Sequence, residues 1–368
     1  MNKKLIFKIL GIILGIEGVS LLIPFVIALV CRENTAVFGV TALLCLAVGL
    51  PLSRLHTAKS RLQNRDGYVA VALGWIVLSA FGALPYALSG CCGYVDALFE
   101  TVSGFTTTGA SVIADVEALP VSLLYWRSFT VWLGGMGVLV FVLAVSPMAN
   151  GDSGDALHLL RAESPGVNVG KLVPRMRRST TILYLIYIGL TVLMFVLLIF
   201  DMPFFDALTT AFATAGTGGF SNKALSVGAY NSPYFEIVIG VFMLLFGINF
   251  NLYYFLLLRH FREAFASEEM RVYLGIVAFS TLTITANIAS MYDSVGTALR
   301  TAFFQVSSIV TTTGYATADF NLWPTYSRIV IVILTFVGAC AGSTAGGLKV
   351  SRVIILFKAA RQDLNKML

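Results

Sequence analysis

Eight long apolar runs are the feature of this sequence that most restricts its fold. A bilayer core is about 30 Å thick, so a helix needs about 20 apolar residues to cross it. Only 12% of the residues are charged, whereas soluble domains carry about 25%. The sequence therefore predicts an all-α polytopic membrane protein. The runs cover residues 5–31, 36–53, 68–89, 121–146, 180–200, 232–258, 272–292 and 326–347.

The positions of the basic residues predict the orientation of the chain. If the N-terminus is cytoplasmic, most of the 25 Lys and Arg residues fall in segments on that same side, as the positive-inside rule requires. Both termini are then cytoplasmic, and the expected location is the plasma membrane, which in a bacterium is the inner membrane. This topology accounts for the net charge of +6, so we expect no nucleic-acid partner.

Residue types that carry enzymatic chemistry are sparse. The five cysteines form no C-x-x-C pair and the three histidines stand apart in the sequence. No Gly-rich phosphate loop and no G-x-S-x-G turn is present. We therefore expect neither an enzyme nor a bound cofactor, and no zinc-type metal site.

Three connections between the apolar runs repeat one pattern. They read DALFETVSGFTTTGAS from Asp96, DALTTAFATAGTGGFS from Asp206 and TAFFQVSSIVTTTGYAT from Thr301. Each offers a helix too short to span, followed by a Thr-Gly turn and an extended polar exit. The sequence thus predicts an N-terminal helix pair followed by three repeats, each made of a span, a pore half-helix and a second span.

The repeats divide the chain into five parts. These are an N-terminal transmembrane helix pair with a basic cytoplasmic loop (1–66), pore repeat 1 (67–150), a cytoplasmic loop (151–179), pore repeat 2 (180–262), and pore repeat 3 with an intramembrane loop and a basic C-terminal helix (263–368).

The Thr-Gly turns indicate cation permeation. Irregular backbone at membrane depth is tolerated only where it is buried in protein or lines a water-filled cavity. Glycine allows unusual torsions, threonine adds a hydroxyl to its carbonyl, and rings of such oxygens replace the hydration shell of a cation. No ring of carboxylates accompanies the turns, which favours a monovalent ion. A single TTTG stretch is also typical of packed helices, but three copies favour a pore.

The chain resembles the membrane subunit of the Trk/Ktr potassium-uptake family, and within it the Trk-type branch. Four segments carry the resemblance: NRDGYVAVALGW, WRSFTVWLGGMGV, RAESPG and FVGACAGSTAGGLKVSR. The resemblance implies a pseudo-fourfold cation-channel-like architecture with potassium bound at a selectivity filter. The implied filter residues are Thr107, Thr108, Gly109, Thr217, Gly218, Thr312, Thr313 and Gly314.

The stretch ACAGSTAGG, residues 339–347, interrupts the last apolar run. Such a crowd of small residues is typical of close helix packing, because glycine weakens a helix. The family resemblance instead implies a flexible intramembrane loop that gates the pore, and its position directly after a filter favours this interpretation. The implied gate residues are Gly342, Ser343, Thr344, Gly346, Gly347 and Lys349.

The family has a fourth pore repeat, whereas this sequence stops after the third. We expect a truncated version, with a second polypeptide that completes the pore as the other possibility. The resemblance also implies a homodimer in the lipid bilayer and a cytosolic nucleotide-binding regulatory subunit. A secondary active transporter with broken helices for another monovalent cation, sodium, is the alternative function, and it predicts inverted repeats.

Arg127 and Glu17 are charged residues inside apolar runs, where ions are costly. Arg127 is expected either to pair with Glu100, supporting the filter, or to reach outward to the membrane surface. Glu17, at the middle of the first run, is expected to make an inter-helix contact rather than to bind an ion.

Overall fold

The computed structural model describes residues 2–56, 64–135, 137 and 176–367. The predicted cytoplasmic loop 151–179 falls almost wholly outside these residues, as does the end of the run 121–146. Within them the regular structure is helical, apart from one isolated parallel bridge between Val337 and Leu348. The chain forms two compact units, which divide within one long helix between Leu185 and Ile186.

Unit 1 comprises Met1–Thr106 and Ala110–Leu185. Its apolar core joins the first and fourth helices, with Leu5, Ile9 and Ile13 packed around Ala70. The Glu33 side chain accepts hydrogen bonds from Val121 N at 2.7 Å and from Ser122 N at 3.1 Å. These bonds satisfy N–H groups at the start of the helix Val121–Gly135, which have no partner within that helix. The helices are α1 Lys3–Ser20, α2 Leu22–Val30, α3 Ala36–Ser53, α4 Asn64–Gly82, α5 Leu84–Ser89, α6 Tyr94–Phe105 and α7 Val121–Gly135.

Unit 2 comprises Thr107–Gly109 and Ile186–Leu368. Its core includes Tyr273, Ile284, Ala302, Val306 and Leu334, all fully or almost fully buried. The helices are α8 Met176–Leu198, α9 Phe204–Ala215, α10 Pro233–Phe246, α11 Phe250–Leu257, α12 Phe261–Phe265, α13 Glu268–Ile288, α14 Val295–Val310, α15 Thr325–Phe336 and α16 Val350–Met367, the first of which begins in unit 1.

Five helical stretches of the described residues are long and apolar enough to cross a bilayer. The all-α polytopic membrane fold predicted from the sequence is therefore confirmed. A sixth crossing is possible if a bent pair of helices, α10 and α11, counts as one span. The five stretches are Lys3–Val30, Ala36–Ser53, Asp66–Ser89, Thr181–Leu198 and Glu268–Met291.

The run 232–258, predicted as one straight span, is instead two helices that meet at an angle of 91°. The local sequence explains the break, because Gly247 ends α10 and Asn249 begins α11 as an N-cap whose side chain accepts from Asn251 N at 2.9 Å. The run 326–347 is also not a full span. Helix α15 ends at Phe336, and residues 337–349, called loop 337–349 below, lie outside any helix.

Three short helices precede the Thr-Gly turns, as the repeat pattern predicts. α6 and α9 have 12 residues each and α14 has 16. At 1.5 Å per residue these helices are too short for a core of about 30 Å. They are pore half-helices in the sense of the sequence prediction, each ending inside the protein.

Glu17 lies buried in α1, with 1% of its surface exposed. Its Oε1 lies against α4, at 2.9 Å from the position that a Cβ on Gly82 would take. The predicted inter-helix contact is therefore present. Neither carboxylate oxygen accepts a hydrogen bond from the part of the chain that the structure describes.

Candidate functional site

The three Thr-Gly turns share one backbone design. We call them turn 1 (Thr107–Gly109), turn 2 (Thr217–Gly219) and turn 3 (Thr312–Gly314). All three belong to unit 2. The first residue of each turn is a threonine with positive φ, at +55°, +55° and +56°, and the third is a glycine with positive φ, at +75°, +67° and +84°. The middle residue has no positive φ in any turn.

Turns 2 and 3 close the ends of their half-helices with matching hydrogen bonds. In turn 2, Thr217 N donates to Thr214 O at 2.9 Å and Gly218 N donates to Ala213 O at 3.0 Å. In turn 3, Thr312 N donates to Ile309 O at 3.0 Å and Thr313 N donates to Ser308 O at 2.9 Å. This is the Schellman arrangement, in which a left-handed residue ends a helix and its backbone carbonyls stay paired.

The left-handed residue in this arrangement is usually glycine, but here it is threonine in all three turns. A β-branched residue with positive φ is a true outlier, and the left-handed conformation costs about 1–2 kcal/mol for a residue with a Cβ. Strained backbone persists where the surrounding structure enforces it, and it clusters at functional sites. Strain recurring at three matched positions therefore marks the turns as the candidate functional site.

The turns approach each other through backbone atoms. A Cβ added to Gly109 would overlap the carbonyl oxygen of Gly218 and lie 2.9 Å from its carbonyl carbon. A Cβ added to Gly219 would overlap the carbonyl oxygen of Thr313 and lie 2.8 Å from its carbonyl carbon. Turn 1 thus abuts turn 2, and turn 2 abuts turn 3. Beside Gly314 no atom of the described residues lies within 4 Å of such a Cβ.

The backbone sets a register that differs by one residue from the alignment made on sequence. Sequence comparison matched Gly218 with Gly109 and Gly314, because each follows a threonine. The φ angles match Gly219 to these glycines, and Gly218 to Thr108 and Thr313. Gly219 is therefore a candidate site residue that the sequence prediction missed. The doubled glycine in GTGG was the available signal, since in the other two turns one residue separates the left-handed threonine from the glycine with positive φ.

A buried ion pair braces the exit of turn 1. Arg127 Nε lies 2.6 Å from Glu100 Oε1, and both side chains are at most 4% exposed. Glu100 also accepts from Ser111 Oγ at 3.0 Å and from Val112 N at 3.1 Å, in the segment that leaves the turn. The predicted pairing of Arg127 with Glu100 is confirmed, and the alternative of Arg127 reaching the surface is wrong.

The extended segments that follow turns 2 and 3 are held by hydrogen bonds from amide side chains. Gln305, which stands seven residues before the left-handed threonine as Glu100 does, donates to Ala318 O at 3.1 Å. In the second repeat Asn222 donates to Thr209 Oγ1 at 2.7 Å and to Asp206 Oδ1 at 2.9 Å. Each half-helix therefore holds the extended segment that follows its own turn.

Loop 337–349 lies directly against turn 3. Gly346 N donates to Thr312 Oγ1 at 2.7 Å. The loop also meets the break between α10 and α11, where Phe250 N donates to Gly342 O at 2.9 Å and Cys340 N donates to Gly247 O at 3.0 Å. The broken helix and the loop therefore interlock.

The residues predicted for the gate all lie in this loop. Gly342 and Gly347 have φ of +73° and +70°, which is where glycine is favoured. Ser343 Oγ donates to Cys340 O at 2.6 Å, and Thr344 Oγ1 donates to Phe246 O at 3.3 Å. Lys349 Nζ donates to the carbonyl oxygens of Ala345 and Gly346. The ammonium group thus folds back on its own loop.

The oxygens available in the turns are those of the backbone and of threonine. Among residues 2–56, 64–135, 137 and 176–367, no three His, Cys, Asp or Glu side chains converge as metal ligands. A carbonyl and hydroxyl oxygen set suits an alkali cation rather than a transition metal.

Comparison with known proteins gives one family. The family model TrkH, described as a cation transport protein, matches residues 33–367. The Trk system potassium uptake protein TrkH of Salmonella typhimurium is 36% identical over 378 aligned positions, which cover 100% of this chain and 77% of that protein. The corresponding TrkH of Halomonas elongata is 34% identical with the same coverage.

A solved structure gives the same result. The crystal structure of the potassium transporter TrkH from Vibrio parahaemolyticus superposes with a TM-score of 0.88 at 30% sequence identity, covering 100% of this chain and 77% of that one. The repeats, the strained turns, the interlocked loop and these similarities lead to one conclusion: the chain belongs to the TrkH family of cation transport proteins.

Proposed function

We propose that the protein conducts potassium into the cell as the membrane subunit of a Trk-type uptake system. The observation that carries the proposal is the set of three strained Thr-Gly turns, packed backbone to backbone. The names of the relatives, which are potassium uptake proteins, support it. Transport of a cation is the family property, and potassium is the ion that we assign to this chain.

In this proposal the carbonyl and hydroxyl oxygens of the turns replace the hydration shell of the ion. Each half-helix directs the negative end of its dipole toward the same ion. The absence of carboxylates from the turns keeps binding weak enough for the ion to leave. The filter residues are Thr107, Thr108, Gly109, Thr217, Gly218, Thr312, Thr313 and Gly314, to which the register adds Gly219.

Loop 337–349 is the proposed gate. It contacts Thr312 of the filter through Gly346, so that a movement of the loop changes the path directly below turn 3. Its glycines permit the movement, and the Lys349 ammonium folded onto the loop keeps a positive charge near the cation path. The proposed gate residues remain Gly342, Ser343, Thr344, Gly346, Gly347 and Lys349.

The surroundings of the pore are part of the proposal. The chain lies in the plasma membrane with both termini cytoplasmic, as the distribution of Lys and Arg predicts. A cytosolic nucleotide-binding subunit docks on the basic inner segments and regulates the gate, and two copies of the membrane subunit form a homodimer.

Rubidium uptake into proteoliposomes tests this function. We expect uptake of labelled rubidium, competition by potassium and little competition by sodium. Gly219→Ser adds a side chain where a Cβ already overlaps Thr313 O, so it should reduce the preference for potassium. Gly189→Ser is the matched control, because a Cβ on Gly189 meets no atom of the described part of the chain within 4 Å. Equal competition by sodium in the unaltered protein would contradict the proposal and favour the sodium transporter.

A further inference from the structure

One glutamate side chain holds both sides of loop 337–349. Glu269 Oε1 accepts hydrogen bonds from Ala341 N at 2.7 Å and from Ser351 N at 3.1 Å. Ala341 precedes the glycine-rich part of the loop, and Ser351 follows the loop in the first turn of α16. A single oxygen atom therefore ties together two points of the chain that are ten residues apart.

The position of Glu269 is itself fixed. It lies in the first turn of α13, where Ser267 is the N-cap and its Oγ accepts from Met270 N at 3.4 Å. A negative side chain in a first helical turn interacts favourably with the helix dipole. Hydrogen bonds from N–H groups to a carboxylate are about twice as strong as neutral ones. Glu269 is thus held in place by its helix, and its carboxylate is a strong hydrogen-bond acceptor for the loop.

The other attachments of the loop differ in kind. The bonds at Gly247 O and Gly342 O join backbone to backbone, as do the bonds from Gly338 N to Leu348 O and from Val350 N to Ala339 O, which join the two ends of the loop. The bond from Gly346 N to Thr312 reaches only the glycine-rich half of the loop. Among the side-chain acceptors described for this region, Glu269 is the one that connects the start of the loop with the helix after it.

The neighbouring residue Glu268 provides a natural contrast. Its carboxylate pairs with Lys358 Nζ at 2.7 Å, and both side chains are more than half exposed. Exposed ion pairs contribute little because water screens them. The two adjacent carboxylates at the start of α13 therefore make different contacts. Glu269 binds backbone N–H groups of the loop and of α16, whereas Glu268 forms an exposed ion pair.

We propose that Glu269 is a positioning residue that latches loop 337–349 in its place against turn 3, and that the loop is released when the bonds to Ala341 N and Ser351 N break. The meaning of this release for transport rests on the proposed function, whereas the latch itself is a statement about the loop. The latch places control of the loop at the cytoplasmic end of α13 in the predicted topology.

The native residue Cys340 reports on the latch. It lies in the loop beside Ala341 and is fully buried. Cys45, in α3 of the other unit, is also fully buried and serves as an internal control for the overall fold. The experiment measures the rate at which N-ethylmaleimide labels each cysteine in the detergent-solubilised chain, with peptide mass spectrometry to separate the sites.

Glu269→Ala should accelerate labelling of Cys340 by about tenfold or more, because two hydrogen bonds to a charged acceptor are lost. Glu269→Gln should give a smaller acceleration, since its amide oxygen still accepts. Glu268→Ala should leave the rate unchanged, and Cys45 should keep its rate in every variant. If Glu269→Ala does not yield folded protein, the labelling rate of Cys340 in Glu269→Gln alone tests the proposal.

Two results would overturn the latch. One is an unchanged rate at Cys340 in the Glu269 variants, and the other is a parallel acceleration at Cys340 and Cys45, which indicates general loosening. Rubidium flux on the same samples separates the latch from the proposed function. Faster labelling without increased flux contradicts the gate but keeps the latch, whereas increased flux without faster labelling contradicts the latch.

Discussion

The Thr-Gly turns and loop 337–349 are both irregular and glycine-rich, and they touch at Thr312, yet they are held in different ways. The turns continue directly from their half-helices and contact each other through backbone atoms. The loop is held partly by backbone bonds, including those to the break between α10 and α11, and partly by the side chains of Glu269 and Thr312 on other elements. A segment fixed by its neighbouring turns stays rigid, whereas a segment fixed in part by two side chains is loosened when those bonds break.

The same contrast appears in what each region costs to deform. A threonine in the left-handed conformation stores about 1–2 kcal/mol, so each turn keeps its shape only because neighbouring turns and exits enforce it. The loop places glycines at its positive φ angles, where the conformation carries no such strain. The surrounding structure therefore has to enforce the strained conformation of the turns, whereas the loop carries no such strain.

The largest effect should come from breaking the ion pair behind turn 1. Arg127→Met leaves Glu100 as a buried charge without its cation, and loss of one partner of a buried pair costs about 3–5 kcal/mol. Chemical unfolding in detergent should show this loss. The double variant Arg127→Met with Glu100→Gln should recover a large part of it. Equal stability of the single variant and the unaltered protein would show that the brace contributes nothing.

Gly219→Ala and Gly314→Ala test the packing of the turns against each other. Both replace a glycine with positive φ, at a cost of about 1–2 kcal/mol. Only Gly219→Ala also drives a Cβ into a neighbouring carbonyl, and overpacking adds about 1–3 kcal/mol. Thermal unfolding should therefore rank Gly219→Ala below Gly314→Ala. The reverse order would contradict the close approach of turns 2 and 3.

Thr312→Val tests the hydrogen bond from Gly346 N that joins the two regions. The variant keeps the β-branched shape but removes the acceptor for Gly346 N, at a cost of about 1–3 kcal/mol for the unpaired donor. Labelling of Cys340 should accelerate while turn 3 keeps its structure. Thr335→Val is the control, because Thr335 is exposed and bonds only within its own helix, to Val332 O. Equal rates in the two variants would mean that Thr312 does not hold the loop.

Lys358→Gln should have the smallest effect. It removes the exposed ion pair with Glu268, and such pairs contribute about 0–1 kcal/mol. Stability and the rate at Cys340 should stay within error of the unaltered protein at physiological salt. A clear acceleration at Cys340 would assign part of the latch to α16 instead of Glu269.

The membrane fold, the three half-helices and the turns could be predicted from the sequence, because each depends on local composition and spacing. The pairing of Arg127 with Glu100 was one of two expected outcomes, since an intramembrane charge needs a partner. In each case the type and spacing of the residues indicate the structure directly.

Other features could not be predicted because they depend on distant contacts or on torsions. The matching of Gly219 with Gly109 is a property of φ angles, and the letters GTGG allow either glycine. The bend at residues 247–249 lies in a run long enough to span, and Gly247 and Asn249 are compatible with either a straight helix or a break until the Asn249 N-cap is seen. Glu269 is 72 residues from Ala341 in the chain, so nothing near either residue indicates their contact.

The most direct test of the central claim is an anomalous-scattering map from crystals of the protein grown with thallium, which substitutes for potassium. We expect anomalous peaks bounded by the carbonyl oxygens of Thr108, Gly218 and Thr313, and a weakening of these peaks when potassium, but not sodium, is added in excess to the thallium. Thallium peaks confined to other parts of the protein, with none between the turns, would contradict the claim that the Thr-Gly turns form a potassium filter.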